Sequence, residues 1–136
     1  KLIWSLRDIG HTMRQIAEGR GSQKRILILL RETAGMTQKE LTARLGVQPG
    51  SASEVLNKLE QAGLILRMPS ETDRRTMDIR LTQDGEALAE DAAARRAARH
   101  EQMFAVLSDE EEDTLILLLE RINAYWDRTY RHPGGE

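Results

Sequence analysis

The chain has no cysteine, so it can build no disulfide framework, thiolate metal site or thiol-based redox switch. Aromatic residues make up only 4% of its 136 residues, and no apolar run, that of residues 26–30 included, is longer than five residues. A membrane span needs about 20, so that run reads as a buried helix. Histidine is scarce too. His11, His100 and His132 are the only imidazoles, no two have ligand spacing, and no metal site is expected. Catalysis needs a nucleophile with a base beside it, and Ser51 and Ser53 have no histidine near them. Neither an enzymatic activity nor a cofactor is therefore expected. Glu110, Glu111 and Glu112 read as a helix-start charge cluster, not as paired catalytic carboxylates. The chain opens at Lys1 without an initiator Met and already in helical pattern, which points to residues preceding it. No signal peptide is read, and a cytoplasmic location without membrane contact is expected.

Hydrophobic residues at 40% and charged residues at 31% place the chain among globular rather than disordered sequences. Its length suits one domain. The net charge of −2 is unevenly spread: residues 20–81 carry eleven Lys/Arg against seven Asp/Glu, and the remainder nine against fifteen. A positive middle between acidic ends is a local electrostatic footprint of the kind that nucleic-acid binders carry.

Leu2, Leu6, Ile9, Met13 and Ile16 form one apolar stripe on a helix. Gly19, Gly21 and Ser22 end it. A second helix is predicted over about residues 23–34, closed by Gly35. Thr37 and Glu40 form a capping box that opens a third helix, with Leu41 and Leu45 inward and Gly46 as its left-handed end. Pro49 then stands at the first position of a fourth helix, where no backbone donor is needed. Ala52, Val55, Leu56 and Leu59 make its inner face and Gly63 stops it. Two short helices around a tight turn make a helix-turn-helix.

The period then changes to alternation over residues 64–68 and 77–81, around a polar tip that carries Arg74 and Arg75. Thr82 caps an Ala-rich fifth helix to roughly Leu107. Ser108 and Glu111 cap a sixth, marked by Leu115, Leu118, Leu119, Ile122 and Trp126, that runs to about Tyr130. The expected fold is mostly α with a small β-wing: a winged helix-turn-helix with flanking helices.

A recognition helix must bury one face and keep the opposite one polar and slim enough for the major groove. Helical spacing puts Gly50, Ser53, Glu54, Asn57 and Gln61 outward on the fourth helix, with Ser51 and Lys58 flanking and Gln48 just before it. Small and amide-bearing residues suit base contacts, and Lys58 suits a phosphate. Glu54 either accepts from a cytosine amino group or pairs with Lys58 one turn later, and the pairing is expected. Guanidinium groups on a hairpin tip suit a narrow, strongly negative minor groove. Arg74 is assigned to phosphate, with Lys39, Arg44 and Arg25 as weaker phosphate candidates.

Three segments together resemble the MarR (multiple antibiotic resistance regulator) family over essentially the whole length. They are residues 37–41 (Thr-Gln-Lys-Glu-Leu), 56–65 (Leu-Asn-Lys-Leu-Glu-Gln-Ala-Gly-Leu-Ile) and 73–82 (Asp-Arg-Arg-Thr-Met-Asp-Ile-Arg-Leu-Thr), with Gly85 beyond. The resemblance implies one domain over 1–136, with residues 22–82 as the winged helix-turn-helix and 1–18 and 83–131 as dimerisation helices. It implies a homodimeric transcription regulator, a repressor on a palindromic double-stranded DNA operator, with Arg75 as the wing arginine and Asp73 as the carboxylate bracing it. The family's cysteine-oxidation mechanism is excluded here. A small aromatic or phenolic effector is implied in a crevice beside the dimerisation helices, with Trp4, Arg7, His11 and Arg25 as lining groups. Packing of Trp4 and His11 at the dimer interface fits equally. The second class of function is a winged-helix module that binds protein and not DNA, against which the basic wing argues.

Overall fold

The structure is a computed structural model that describes residues 1–17 and 22–131; the helix stop expected at Gly19 and Gly21, and His132 with the tail that follows it, lie outside these. The chain divides into two compact units, Lys1–Arg95 and Arg96–Glu136.

In the first unit, α1 (Leu2–Ile16) buries none of its side chains. α2 (Gln23–Glu32) starts where the Ser22 hydroxyl accepts from the Arg25 amide at 3.2 Å, and it buries Ile26, Leu27, Ile28 and Leu30. It stops two residues short of the expected end. Ala34 (φ 55) and Gly35 (φ 102) both take left-handed conformations, and the Gly35 amide donates back to the Leu30 carbonyl at 3.0 Å. The chain then enters β1 (Met36–Thr37), which sequence reasoning did not anticipate because two residues cannot display a period. β1 lies antiparallel to β3 (Met77–Leu81), with Met36 opposite Ile79 and Thr37 opposite Asp78. The expected hairpin of β2 (Ile65–Pro69) and β3 is thus part of a three-stranded sheet of order β1-β3-β2.

α3 (Gln38–Leu45) carries the complete Thr37–Glu40 capping box and ends at Gly46, whose φ of 62 needs no Cβ to be accommodated. α4 (Pro49–Gln61) begins with Pro49 in its first turn. The two helices are tied where the Gln38 side-chain Nε2 donates to the Ser53 hydroxyl at 2.9 Å. Leu41, Leu45, Leu56 and Leu59 join Ile26, Leu27, Leu30, Ile65, Ile79 and Ala89 in one core. Burying such a side chain stabilises the fold by about 1.5–3 kcal/mol relative to exposing it, so the helix-turn-helix is anchored through its inner face and leaves the other face free. α5 (Gln83–Phe104) starts at Thr82, whose hydroxyl accepts from the Gly85 amide at 3.1 Å and donates to the Gly63 carbonyl at 2.6 Å. Along it the small residues Gly85, Ala89 and Ala92 are the buried ones.

The second unit holds the end of α5 and α6 (Asp109–Trp126), which opens with the Ser108–Glu111 capping box. α5 ends at Phe104, not Leu107, because the Leu107 amide turns back to the Phe104 carbonyl at 2.9 Å. α6 gives way at Asp127 to a wider π-helical turn over Asp127–Arg131. None of its side chains is buried, and Leu117, Leu118, Leu119, Tyr125 and Trp126 are exposed. The helices, wing and sheet match the expected mostly α, winged helix-turn-helix class. Among the described residues no helix is long and apolar enough to cross a membrane.

Candidate nucleic-acid interface

Once Ala52, Leu56 and Leu59 are buried, the rest of α4 is committed by its 3.6-residue period. Gln48, Gly50, Ser51, Glu54, Asn57, Lys58 and Gln61 are all exposed. A Cβ on Gly50 would meet nothing within 4 Å, so the start of the helix presents open backbone. Ser53 departs from the expected outward set. It is half-buried, and its hydroxyl is taken up by Gln38, which makes it part of the joint between α3 and α4. Lys58 and Glu54 approach to 3.4 Å, both well exposed, in the favourable order for one helical turn.

The wing tip is ordered by short polar contacts. Ser70, buried although polar, meets the Thr72 hydroxyl at 3.1 Å and accepts from the Asp73 amide at 3.3 Å. Asp73 in turn accepts from the Arg75 amide at 3.1 Å and sits 3.4 Å from the Arg75 Nε. The Arg75 side chain is 92% exposed, held at its root and open at its tip. Arg74 is exposed beside it. The wing is also stitched to the helix-turn-helix, because the Lys39 amide donates to the Thr76 hydroxyl at 3.2 Å. Between them runs an open groove of about 680 Å³ whose lining includes Lys39, Thr42, Pro49, Arg75 and Met77. The phosphate candidate Lys39 and the wing arginine Arg75 therefore share one groove, whereas Arg44 is exposed in the last turn of α3 and lines a second hollow with Glu40. Hydrogen bonds from the Thr37 amide and hydroxyl, helped by Arg44, hold the Glu40 carboxyl below its ordinary value, so the cap stays charged.

Trp4, Arg7 and His11 fall on one exposed face of α1, with the Arg7 guanidinium 5.8 Å from the Trp4 ring centre and His11 bonded to Gln15 at 3.0 Å. Arg25 is half-buried in the first turn of α2, where its amide serves the Ser22 cap. Among the described residues no group of three or more His, Cys, Asp or Glu is placed to hold a metal ion.

One residue that sequence reasoning left out stands at the centre of this surface. Arg67 reaches from β2 onto α4, where its Nε donates to Glu60 at 2.6 Å and its Nη2 donates to the Asn57 carbonyl oxygen. The signal was available. Arg67 alternates in phase with buried Ile65, whereas Leu66 and Met68, though apolar, are exposed. A guanidinium in a buried phase needs a carboxylate, and Glu60 is the nearby one.

The sequence profile of the MarR family matches residues 22–77, the stretch from the α2 cap to the start of β3. The chain is 31% identical over 102 residues to the homoprotocatechuate degradative operon repressor of Escherichia coli, covering 75% of this chain and 69% of that protein. It is 41% identical over 66 residues to the organic hydroperoxide resistance transcriptional regulator of Bacillus subtilis, covering 48% of this chain and 45% of that one. The chain thus spans about half the length of several of the curated relatives that it matches. A mutant MarR from E. coli, solved in complex with operator DNA, superposes with a TM-score of 0.62 at 29% identity, covering 74% of this chain and 72% of the other.

Proposed function

The chain belongs to the MarR family, and on that premise we propose that it regulates transcription by binding a palindromic operator in double-stranded DNA as a homodimer. The observation that carries the proposal is the pairing of two exposed elements on one scaffold. α4 offers a polar face from Gln48 to Gln61, and the wing beside it carries Arg74 and the open Arg75 guanidinium. α4 enters the major groove, where Gly50, Ser51 and Asn57 meet base edges and Lys58 a phosphate, while Arg75 enters the flanking minor groove. Lys39, Arg44 and Arg74 contact phosphates. Ser53 contributes by fixing α4 against α3. The exposed apolar faces of α1 and α6 pair with a second copy, so that two recognition helices face half-sites about 34 Å apart. Repression in the cytoplasm, relieved by a small aromatic or phenolic acid near Trp4, Arg7, His11 and Arg25, completes the proposal. A bound carboxylate there is offered the cations of Arg7 and Arg25.

Fluorescence anisotropy with duplex DNA at several salt concentrations tests the first part. Log affinity should fall linearly with log salt, with a slope of about −0.9 for each phosphate neutralised. No binding at low salt would favour the protein-interaction module instead. Sedimentation equilibrium at the same protein concentration should give a dimer mass, and a monomer that still binds DNA would remove the two-fold operator from the proposal.

The 3.4 Å approach of Lys58 to Glu54 supports pairing, and not base reading, as the role of Glu54. Exposed pairs of this kind contribute only a few tenths of a kcal/mol, so Glu54→Gln should raise affinity slightly and equally on every sequence by removing one charge that repels phosphate. Competition among single-base operator variants checks this. A loss of discrimination confined to one base pair would show instead that Glu54 reads cytosine.

A further inference from the structure

The contact between Arg67 and Asn57 determines more than the packing of the wing. Asn57 and Glu60 lie three residues apart on α4, hence on one face of the helix, and Arg67 meets both from β2. Its side chain is only 17% exposed, and two of its nitrogens engage one Glu60 carboxylate oxygen. The guanidinium is therefore clamped before it meets the amide. A guanidinium has donors and no acceptor, so the group it touches on Asn57 must be the carbonyl oxygen. The oxygen and nitrogen of a side-chain amide diverge from one carbon, so holding the oxygen on Arg67 fixes the amide plane and leaves the NH2 group free to donate elsewhere, on a residue that is exposed.

Resting on the DNA-binding role proposed above, we infer that Arg67 is a positioning residue that fixes the Asn57 amide so that only its NH2 group meets the DNA. An asparagine free to turn reads adenine with both ends, accepting from N6 and donating to N7. Held to Arg67 through one lone pair of its oxygen, the Asn57 amide is not free to turn into that two-bond pair, and it meets the groove through its NH2. It reads a base that offers acceptors alone, guanine through O6 and N7 or thymine through O4, and it rejects cytosine, whose major-groove edge presents a donor to a donor. The specificity of α4 at this position is thus set by a residue on the wing, through a bond that never touches the nucleic acid.

The test selects sites from a randomised duplex library with the wild-type chain, then measures affinity for every single-base variant of the selected site. The base pair facing Asn57 is the one whose preference disappears in Asn57→Ala. There the wild type should favour guanine or thymine over cytosine by about tenfold. Arg67→Met keeps the stem and releases the amide, so adenine should gain at that position alone while the rest of the site is unchanged. In the Asn57→Ala background Arg67→Met should alter no base preference. Glu60→Gln, which loosens the clamp while keeping the arginine, should shift the same position in the same direction. In the free protein, 15N spectra should show an Arg67 Nε–H that exchanges slowly with solvent, and Asn57 NH2 resonances that move when Glu60 is changed. A loss of affinity by Arg67→Met and Glu60→Gln that is uniform over all sequences overturns the assignment while leaving DNA binding intact. Rapid exchange of the Arg67 Nε–H overturns it without reference to DNA. A wild-type chain that binds no duplex overturns both the assignment and the function on which it rests.

Discussion

Replacing Arg75 with alanine is expected to weaken specific DNA binding by about 1–3 kcal/mol, roughly 5- to 150-fold, without loss of folded protein. The geometry separates the two effects. The Arg75 side chain is 92% exposed, and its ion pair among the described contacts, 3.4 Å to Asp73, is with a carboxylate that also accepts from the Arg75 backbone amide. The amide contact survives truncation, so the wing tip keeps its turn while losing its guanidinium. Arg74→Ala should cost less, and should lower the salt slope by about 0.9, the share of one phosphate. Isotherms for both variants at four or more salt concentrations distinguish these outcomes. Equal and negligible losses would mean that the wing stays in solvent when α4 binds.

Gly85→Ala is expected to destabilise the fold by about 3 kcal/mol, at the upper end of the overpacking range or beyond it. A Cβ on Gly85 would lie 2.0 Å from the Leu64 carbonyl oxygen and 3.2 Å from the Leu81 Cδ2. The first of these is backbone and cannot swing aside. The same carbonyl accepts from the Thr82 amide at 3.0 Å, so moving it breaks the bond that seats the start of α5 against the entry to β2. Urea denaturation of the variant, set against Gly50→Ala as a control with open space at its Cβ, checks the expectation. A loss below about 0.5 kcal/mol would show that the first turn of α5 slides away without strain.

The elements that depend on neighbours in sequence were legible in the chain alone. The Thr37–Glu40 and Ser108–Glu111 boxes, the left-handed Gly46 and the first-turn Pro49 all act within three or four residues, and each stands where the spacing put it. The inner face of α4 was equally legible, because a helix turns its period of apolar residues into one face whatever it packs against. The Asp73–Arg75 contact, which the resemblance to the family implied and the spacing alone did not, also spans only two residues.

What the chain by itself determined is the order and type of its main elements, the face of α4 that is free, and the basic tip of the wing. Backbone and capping bonds of short span decide these, and their energies hardly depend on the rest of the molecule. Only the tertiary structure decided that Met36 and Thr37 form a third strand, that Ser53 turns to Gln38, that Gly85 admits no side chain, and that Arg67 takes the oxygen of Asn57. Each of these joins residues that the chain's folding brings together rather than its local spacing. A two-residue strand has no period, and an amide has no preferred end until a donor from another element reaches it. The polar groups that face the proposed operator are local in origin, but the direction in which one of them can donate is set from across the fold.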